Sequence, residues 1–240
     1  MRIAIVSDIH GNRAAFDAVL ADLRLTSPDL ILHGGDLADA GSSPAEIVDH
    51  IRDLGWPGVL GNTDEMHARP ESLDEFASQS SAPPSLWQAI REMAAATRDV
   101  LGEERISWMR GLPRVQIHDR FALVHASPES AWRSPGAEAS DVELETVYAP
   151  LGRRVVIYGH IHRPFIRKLA NGLVVVNTGS VSLSYDGDSR AAYLLLDDSG
   201  PAIRRVAYDV EKEIQALSAC GLPHSDWIAR TLRSASPQMP

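Results

Sequence analysis

The 240 residues carry 44% hydrophobic and 23% charged side chains, enough for one large α/β domain or two small ones. A formal net charge of −9 argues against fold-wide attraction to nucleic acid or to an anionic membrane. The lone Cys220 excludes an intrachain disulfide, and no segment approaches the length of a membrane span. With no signal-peptide pattern at the N-terminus, the expectation is a cytoplasmic protein.

In chain order, the apolar run Ile3-Ala4-Ile5-Val6 reads as a buried strand that stops at "SDIHGN". Asn12 is suited to cap a helix whose apolar face is Ala15, Phe16, Val19, Leu20 and Leu23, and Pro28 ends it. A second short strand, Leu30-Ile31-Leu32, runs into "HGGD", and the series Ile47, Val48, Ile51, Leu54 gives another helix. "WPGVLGN" reads as a third strand, so three β-α units predict a parallel arrangement in the first half. Residues 71 to 84 read as a loop or cap, followed by helices over 86–101 and 103–110; the stretch 65–110 is thus a candidate helical cap insertion. From Arg114 onward the pattern turns to strands at hairpin spacing, with "ANG" at 170–172 as a turn. A helix over 210–219 and a tail, disordered over 236–240, close a single domain spanning residues 1–235.

The chemistry-bearing residues fall at the strand ends. Asp8 and His10 follow the first strand, Asp36 the second and Asn62 the third; His125 follows "FALV", and His160 and His162 stand in "GHIH". Residues two apart share a face of an extended chain, so each such pair can address one cavity. Any one of these residues alone is an ordinary turn or cap residue. Three acid or amide groups and four imidazoles at successive strand ends require a different account, and a metal site supplies it. Mixed imidazole and carboxylate donors suit Mn, Fe, Zn or Ni better than Ca. Seven donors suit two divalent ions, and a neutral Asn62 in place of a third carboxylate leaves such a site net positive despite the acidic chain.

The ordered set "DIH", "GD", "GN", "VH", "GHIH", with "GDLADAG", "WMRGLP", "HASP" and "NTGSV", resembles the calcineurin-like metallophosphoesterase superfamily. The likeness is greatest to its small bacterial and archaeal branch, related to diadenosine tetraphosphatases. The resemblance covers residues 1 to 210 and implies a four-layer α/β/β/α sandwich of two mixed sheets. It implies that Asp8, His10, Asp36 and His162 hold one ion, and that Asp36 (as a bridge), Asn62, His125 and His160 hold the other, Mn2+ above all. The implied activity is phosphoester hydrolysis by a metal-bridging water, phosphodiesters favoured, on a small nucleotide-like or activated ester. Phosphomonoesters and dinucleoside polyphosphates are the alternatives within the class. A non-catalytic metal-binding scaffold of the same fold is the alternative outside it.

One departure matters: "GNTD" stands where much of the superfamily has "GNHD", so Thr63 replaces an expected proton donor. His67 could replace it; the competing reading is a surface position on a short helix. Asp39 and Asp64 read equally as groups that orient imidazoles and as turn caps. Arg13 and Arg133 adjoin the motifs and could grip a phosphate oxygen. His33 reads as buried structure. No "GxSxG" elbow supports a serine nucleophile at Ser7 or Ser127.

Overall fold

A computed structural model describes residues 1–240. Strand β1 (Ile3–Val6) pairs in parallel with β2 (Leu30–His33). Its other neighbour is antiparallel β8 (Ala191–Asp197), which hairpins with β9 (Gly200–Val206), giving a sheet of order β2-β1-β8-β9. The second sheet has the order β3-β4-β5-β7-β6, built from β3 (Val115–Ile117), β4 (Phe121–Val124), β5 (Val155–Tyr158), β6 (Phe165–Lys168) and β7 (Val174–Asn177). Its centre, β4-β5-β7, is parallel and its two edges are antiparallel, so both sheets are mixed.

The period-two alternation along the strands explains the layering. Ile3 and Ile5 point between the sheets, where they meet Leu32, Leu123, Ile157, Val176 and Leu194. Their neighbours Ala4 and Val6 face outward, onto α1 (Arg13–Thr26) and α2 (Pro44–Asp53). On the far side Val124, Val156 and Tyr158 pack against Leu144 and Tyr148 of α6 (Asp141–Tyr148). The result is the α/β/β/α order. Each such side chain contributes about 1.5–3 kcal/mol by leaving water.

Local signals hold where they are strong. Asn12 caps α1, its side chain accepting from Ala15 N. The expected break between two helices is present in α5 (Pro84–Arg110), where Gly102 takes φ 67, ψ 165. The 170–172 turn joins β6 to β7.

Four segments differ from the sequence reading or add to it. "WPGVLGN" makes one parallel bridge, His33 to Gly58, and no full strand, so the expected parallel direction is present there but β1 and β2 are the only full strands paired in parallel in the first half. The segment read as a loop or cap contains α4 (Glu71–Ala77) after α3 (Asn62–Ala68), the helical one of those two readings. Beyond α7 (Val210–Cys220) lies an unforeseen α8 (Ser225–Ser234), whose buried face is Ile228, Ala229, Thr231 and Leu232. Residues 236–240, expected to be disordered, fold back on α8: Gln238 O accepts from Trp227 Nε1 at 2.7 Å and Met239 O from Arg230 at 2.9 Å.

Candidate metal centre

The seven strand-end residues converge at the carboxyl ends of β1, β2, β4 and β5. Five of them, Asp8, His10, Asp36, His160 and His162, have left-handed backbone with φ between 50° and 67°. Non-glycine residues rarely adopt it, and each costs roughly 1–3 kcal/mol, so the fold stores strain where these donors are aimed.

One subset is compact. Asp8, His10, Asp36 and His162 are all buried, and one donor atom from each lies within 4.8 Å of the others. His162 Nε2 is 3.1 Å from Asp8 Oδ1, and His10 Nε2 is 3.6 Å from Asp36 Oδ2. A second subset adjoins it. Asn62 Oδ1 lies 3.0 Å from His125 Nε2 and 2.8 Å from His160 Nδ1, and His125 Nε2 is 3.5 Å from Asp36 Oδ1. The two oxygens of Asp36 therefore face different subsets.

The donor chemistry fits a cation. Backbone carbonyls can only accept, so the rings whose Nδ1 meets one carry their proton there. His10 Nδ1 donates to Asp39 O (3.0 Å), His125 Nδ1 to Gly34 O (2.8 Å) and His162 Nδ1 to Leu183 O (2.6 Å). Each Nε2 lone pair is thereby turned inward, and those of His10 and His162 stand 3.3 Å apart. Two lone pairs at that distance repel unless positive charge lies between them.

The electrostatics agree. Burial raises the carboxyl of Asp8, but His162, with His125 and His10, outweighs that and holds it below the usual carboxylate range. Burial lowers the imidazole of His10, and burial followed by the neighbouring His125 lowers His160 to about 4, keeping both neutral and able to donate lone pairs. His125 also loses by burial, yet Asp36 and Asp8 raise it overall.

Supporting contacts come from groups to which the sequence reading gave no such role. Ser7 Oγ donates to Asp8 Oδ2 at 2.5 Å, and His160 N donates to Asp8 Oδ1 at 3.1 Å. Within "NTGSV", Asn177 Nδ2 donates to Gly159 O at 2.5 Å and Ser180 Oγ to Asp8 O at 2.9 Å. That string was visible, but its role as a brace between the two halves needed the fold. Two glycines are obligatory by contact. A Cβ on Gly61 would lie 2.1 Å from Asp36 Oδ1, and one on Gly159 would lie 2.4 Å from Asp8 Oδ2.

The remaining candidates sit elsewhere than expected. Asp64 orients no imidazole; it accepts from Asp36 N (2.8 Å), Leu37 N (2.9 Å) and Gly61 N (3.0 Å), tying together the turns that carry Asp36 and Asn62. Asp39 orients His10 through its backbone carbonyl, while its carboxylate lies 3.5 Å from His67 Nε2. His67 is fully buried, on neither the surface nor the wall of the cavity beside the cluster, and burial lowers it to about 4. It is therefore neutral and misplaced as a proton donor. Arg13 binds Asp17 (2.8 Å) and Glu46 (3.1 Å) on the outer helices. Arg133 binds Gln79 at 2.7 Å and lies over Phe76. Arg13 is thus neutralised by carboxylates, whereas Arg133 has no acidic partner and lies outside the lining of the cavity beside the cluster. Thr63 donates its backbone N–H to Asp36 Oδ1 at 2.9 Å.

A sandwich of two mixed sheets with buried carboxylates and imidazoles at its strand ends defines a metal-binding hydrolase. Residues 1–199 match the calcineurin-like phosphoesterase superfamily domain, and the chain belongs to that family. It is an enzyme, a metallophosphoesterase. It is 29% identical to an uncharacterized protein of Methanocaldococcus jannaschii over 96% of each chain. It is 31% identical to a symmetrical bis(5'-nucleosyl)-tetraphosphatase of Methylococcus capsulatus, over 62% of this chain and 51% of that one. The fold is that of a crystallised metallophosphoesterase from Sphaerobacter thermophilus, with a TM-score of 0.78 and 24% identity, covering 98% and 99% of the two chains. No helix is long and apolar enough to cross a membrane.

Proposed function

We propose that the cluster holds two divalent cations, Mn2+ foremost, and hydrolyses phosphodiesters with good leaving groups. Asp8, His10, Asp36 and His162 would hold one ion, and Asp36, Asn62, His125 and His160 the other. The observation that carries this is Asp36, whose Oδ2 faces His10 at 3.6 Å while its Oδ1 faces His125 at 3.5 Å. Bound cations would supply Lewis acidity towards water and phosphoryl oxygens.

The chain's own residues do the rest. Carbonyls of Gly34, Asp39 and Leu183 hold three rings in the tautomer that offers Nε2. Asp64 and Ser7 hold the two carboxylates' surroundings rigid, so little reorganisation is needed as charge develops. Thr63 stands where the expected His would be and His67 does not line the cavity, which leaves Asp39, raised by burial to about 7, and Tyr185 as the titratable groups on its wall besides the proposed ligands. The leaving oxygen thus meets no imidazole at position 63, which favours esters whose alcohol departs as a stable anion. The relative named as a bis(5'-nucleosyl)-tetraphosphatase supports a phosphoanhydride reading as the second possibility.

The test is turnover of bis-p-nitrophenyl phosphate with Mn2+, with and without chelator, alongside elemental analysis and the Asp36→Asn variant. The expected result is chelator-sensitive activity, about two equivalents of metal, and a loss of 10²-fold or more in the variant, since even groups behind a ligand are worth about 10–100-fold. Full activity in Asp36→Asn, or one equivalent of metal supporting full turnover, would overturn the proposal.

A further inference from the structure

Next to the cluster lies a cavity of about 300 Å³, with His10, Asn62 and His160 at one end. Its walls are Met66, Phe76, Trp87, Trp132, Leu183 and Trp227, and no Lys or Arg lines it. Three of the five tryptophans of the chain therefore meet at one place, beside the metal donors. They come from separate elements, α5, the loop after β4, and α8; two are anchored through their ring N–H, while Trp87 Nε1 is buried without a partner. Trp132 Nε1 donates to Glu65 Oε2 at 3.0 Å, and Trp227 Nε1 donates to Gln238 O at 2.7 Å. Phe76 stacks on Trp132 at 5.1 Å and meets the edge of Trp87 at 5.7 Å. Thr63, smaller than the His it replaces, lies at the junction of cavity and cluster.

We infer that this cavity binds the organic group of the substrate, and that this group is an uncharged, flat aromatic ring system. The inference rests on the phosphoester reading of the adjacent cluster and narrows it. Stacking walls select a planar apolar group. The volume is at the low end for small-ligand sites, room for one ring system within the walls. Beyond the proposed metal ligands the wall carries no Lys or Arg, so a chain of further phosphates lying along it, in a protein of net charge −9, would lose its hydration without a partner. The cavity thus favours aryl esters over dinucleoside polyphosphates. In the reaction, water adds to phosphorus, the P–O bond to the ring's oxygen breaks, and the aryl oxide leaves as an anion that takes its proton from solvent. Such a leaving group needs no acid at position 63.

The experiment compares methyl 2-naphthyl phosphate with methyl phenyl phosphate and diadenosine tetraphosphate, using the Mn2+-loaded protein. In parallel, quenching of tryptophan emission by 2-naphthyl phosphate is measured with chelator present. The expected result is a KM about tenfold lower for the naphthyl than for the phenyl ester, the amount the extra buried ring predicts, and weak turnover of the tetraphosphate. Quenching should be saturable without metal. Gln238→Arg on the chain end and Ile90→Arg on α5 each place a cation in the wall, and each should lower the naphthyl-to-phenyl ratio of kcat/KM about tenfold. If Ile90→Arg fails to fold, Gln238→Arg decides alone. Equal kcat/KM for the two esters, or a preference for the tetraphosphate, overturns the aromatic cavity and leaves the phosphoester reading intact. Saturable quenching with no turnover of any ester overturns the phosphoester reading instead.

Discussion

His33 is buried beside the β1–β2 turns, and neither of its ring nitrogens has a partner. Burial lowers its imidazole to about 3. The unfolded chain takes up a proton at His33 near pH 6.5, while the folded protein resists until about 3, so stability falls as pH drops through that window. By pH 5 the cost is about 2 kcal/mol at 1.36 kcal/mol per unit. The groups Asp39 and Asp64, which burial raises to about 7 and 6, act in the opposite sense, so the prediction concerns a difference between variants. His33→Phe should lose about 2 kcal/mol less than wild type between pH 7 and pH 5 in urea denaturation. Parallel losses would show that the site is not titrating in the unfolded chain as argued. The residues that converge at the cluster were legible at this scale, because acid and imidazole at successive strand ends form an unusual order. The roles of Asp64 and His67 were not, since nothing local distinguishes an acid that binds three backbone amides from one that orients a ring.

At the scale of elements, Gly102 divides α5. Its φ 67, ψ 165 belongs to a region almost closed to side-chain-bearing residues, yet a Cβ there would meet nothing within 4 Å. Gly102→Ala therefore tests backbone strain alone. A loss of about 1–3 kcal/mol is expected in urea denaturation, with unchanged metal stoichiometry. A neutral result would mean that α5 runs through position 102 as one helix. Elements with strong periodicity and a cap, such as α1, were readable from the chain. The short α4 and α8 were not: α8 is exposed on much of its surface, and its identity as a helix depends on Ile228 and Leu232 packing with Leu217 and Leu183.

For the whole molecule, five left-handed donor residues and two facing imidazole lone pairs make the centre costly until charge is supplied. Metal should consequently stabilise the fold. At 100 times Kd, Mn2+ adds about 2.7 kcal/mol, a rise in Tm of about 5–10 °C for a chain of this size. Differential scanning fluorimetry with and without chelator checks this, and Asp36→Asn should abolish most of the shift. A Tm indifferent to Mn2+ would contradict cation binding at the cluster.

By itself the sequence determined which residue types stand at the strand ends and in what order, because strand periodicity, turn glycines and helix caps act over a few residues. It also carried the family and, through it, the sandwich. Only the tertiary structure decided which groups meet. Asp8 and His160 touch although 152 positions separate them, three imidazoles are held by carbonyls that any residue could provide, and a cavity wall is completed by α8 and the chain end. Such contacts are set by how the two sheets pack face to face, a long-range outcome that leaves no mark on the residues nearby.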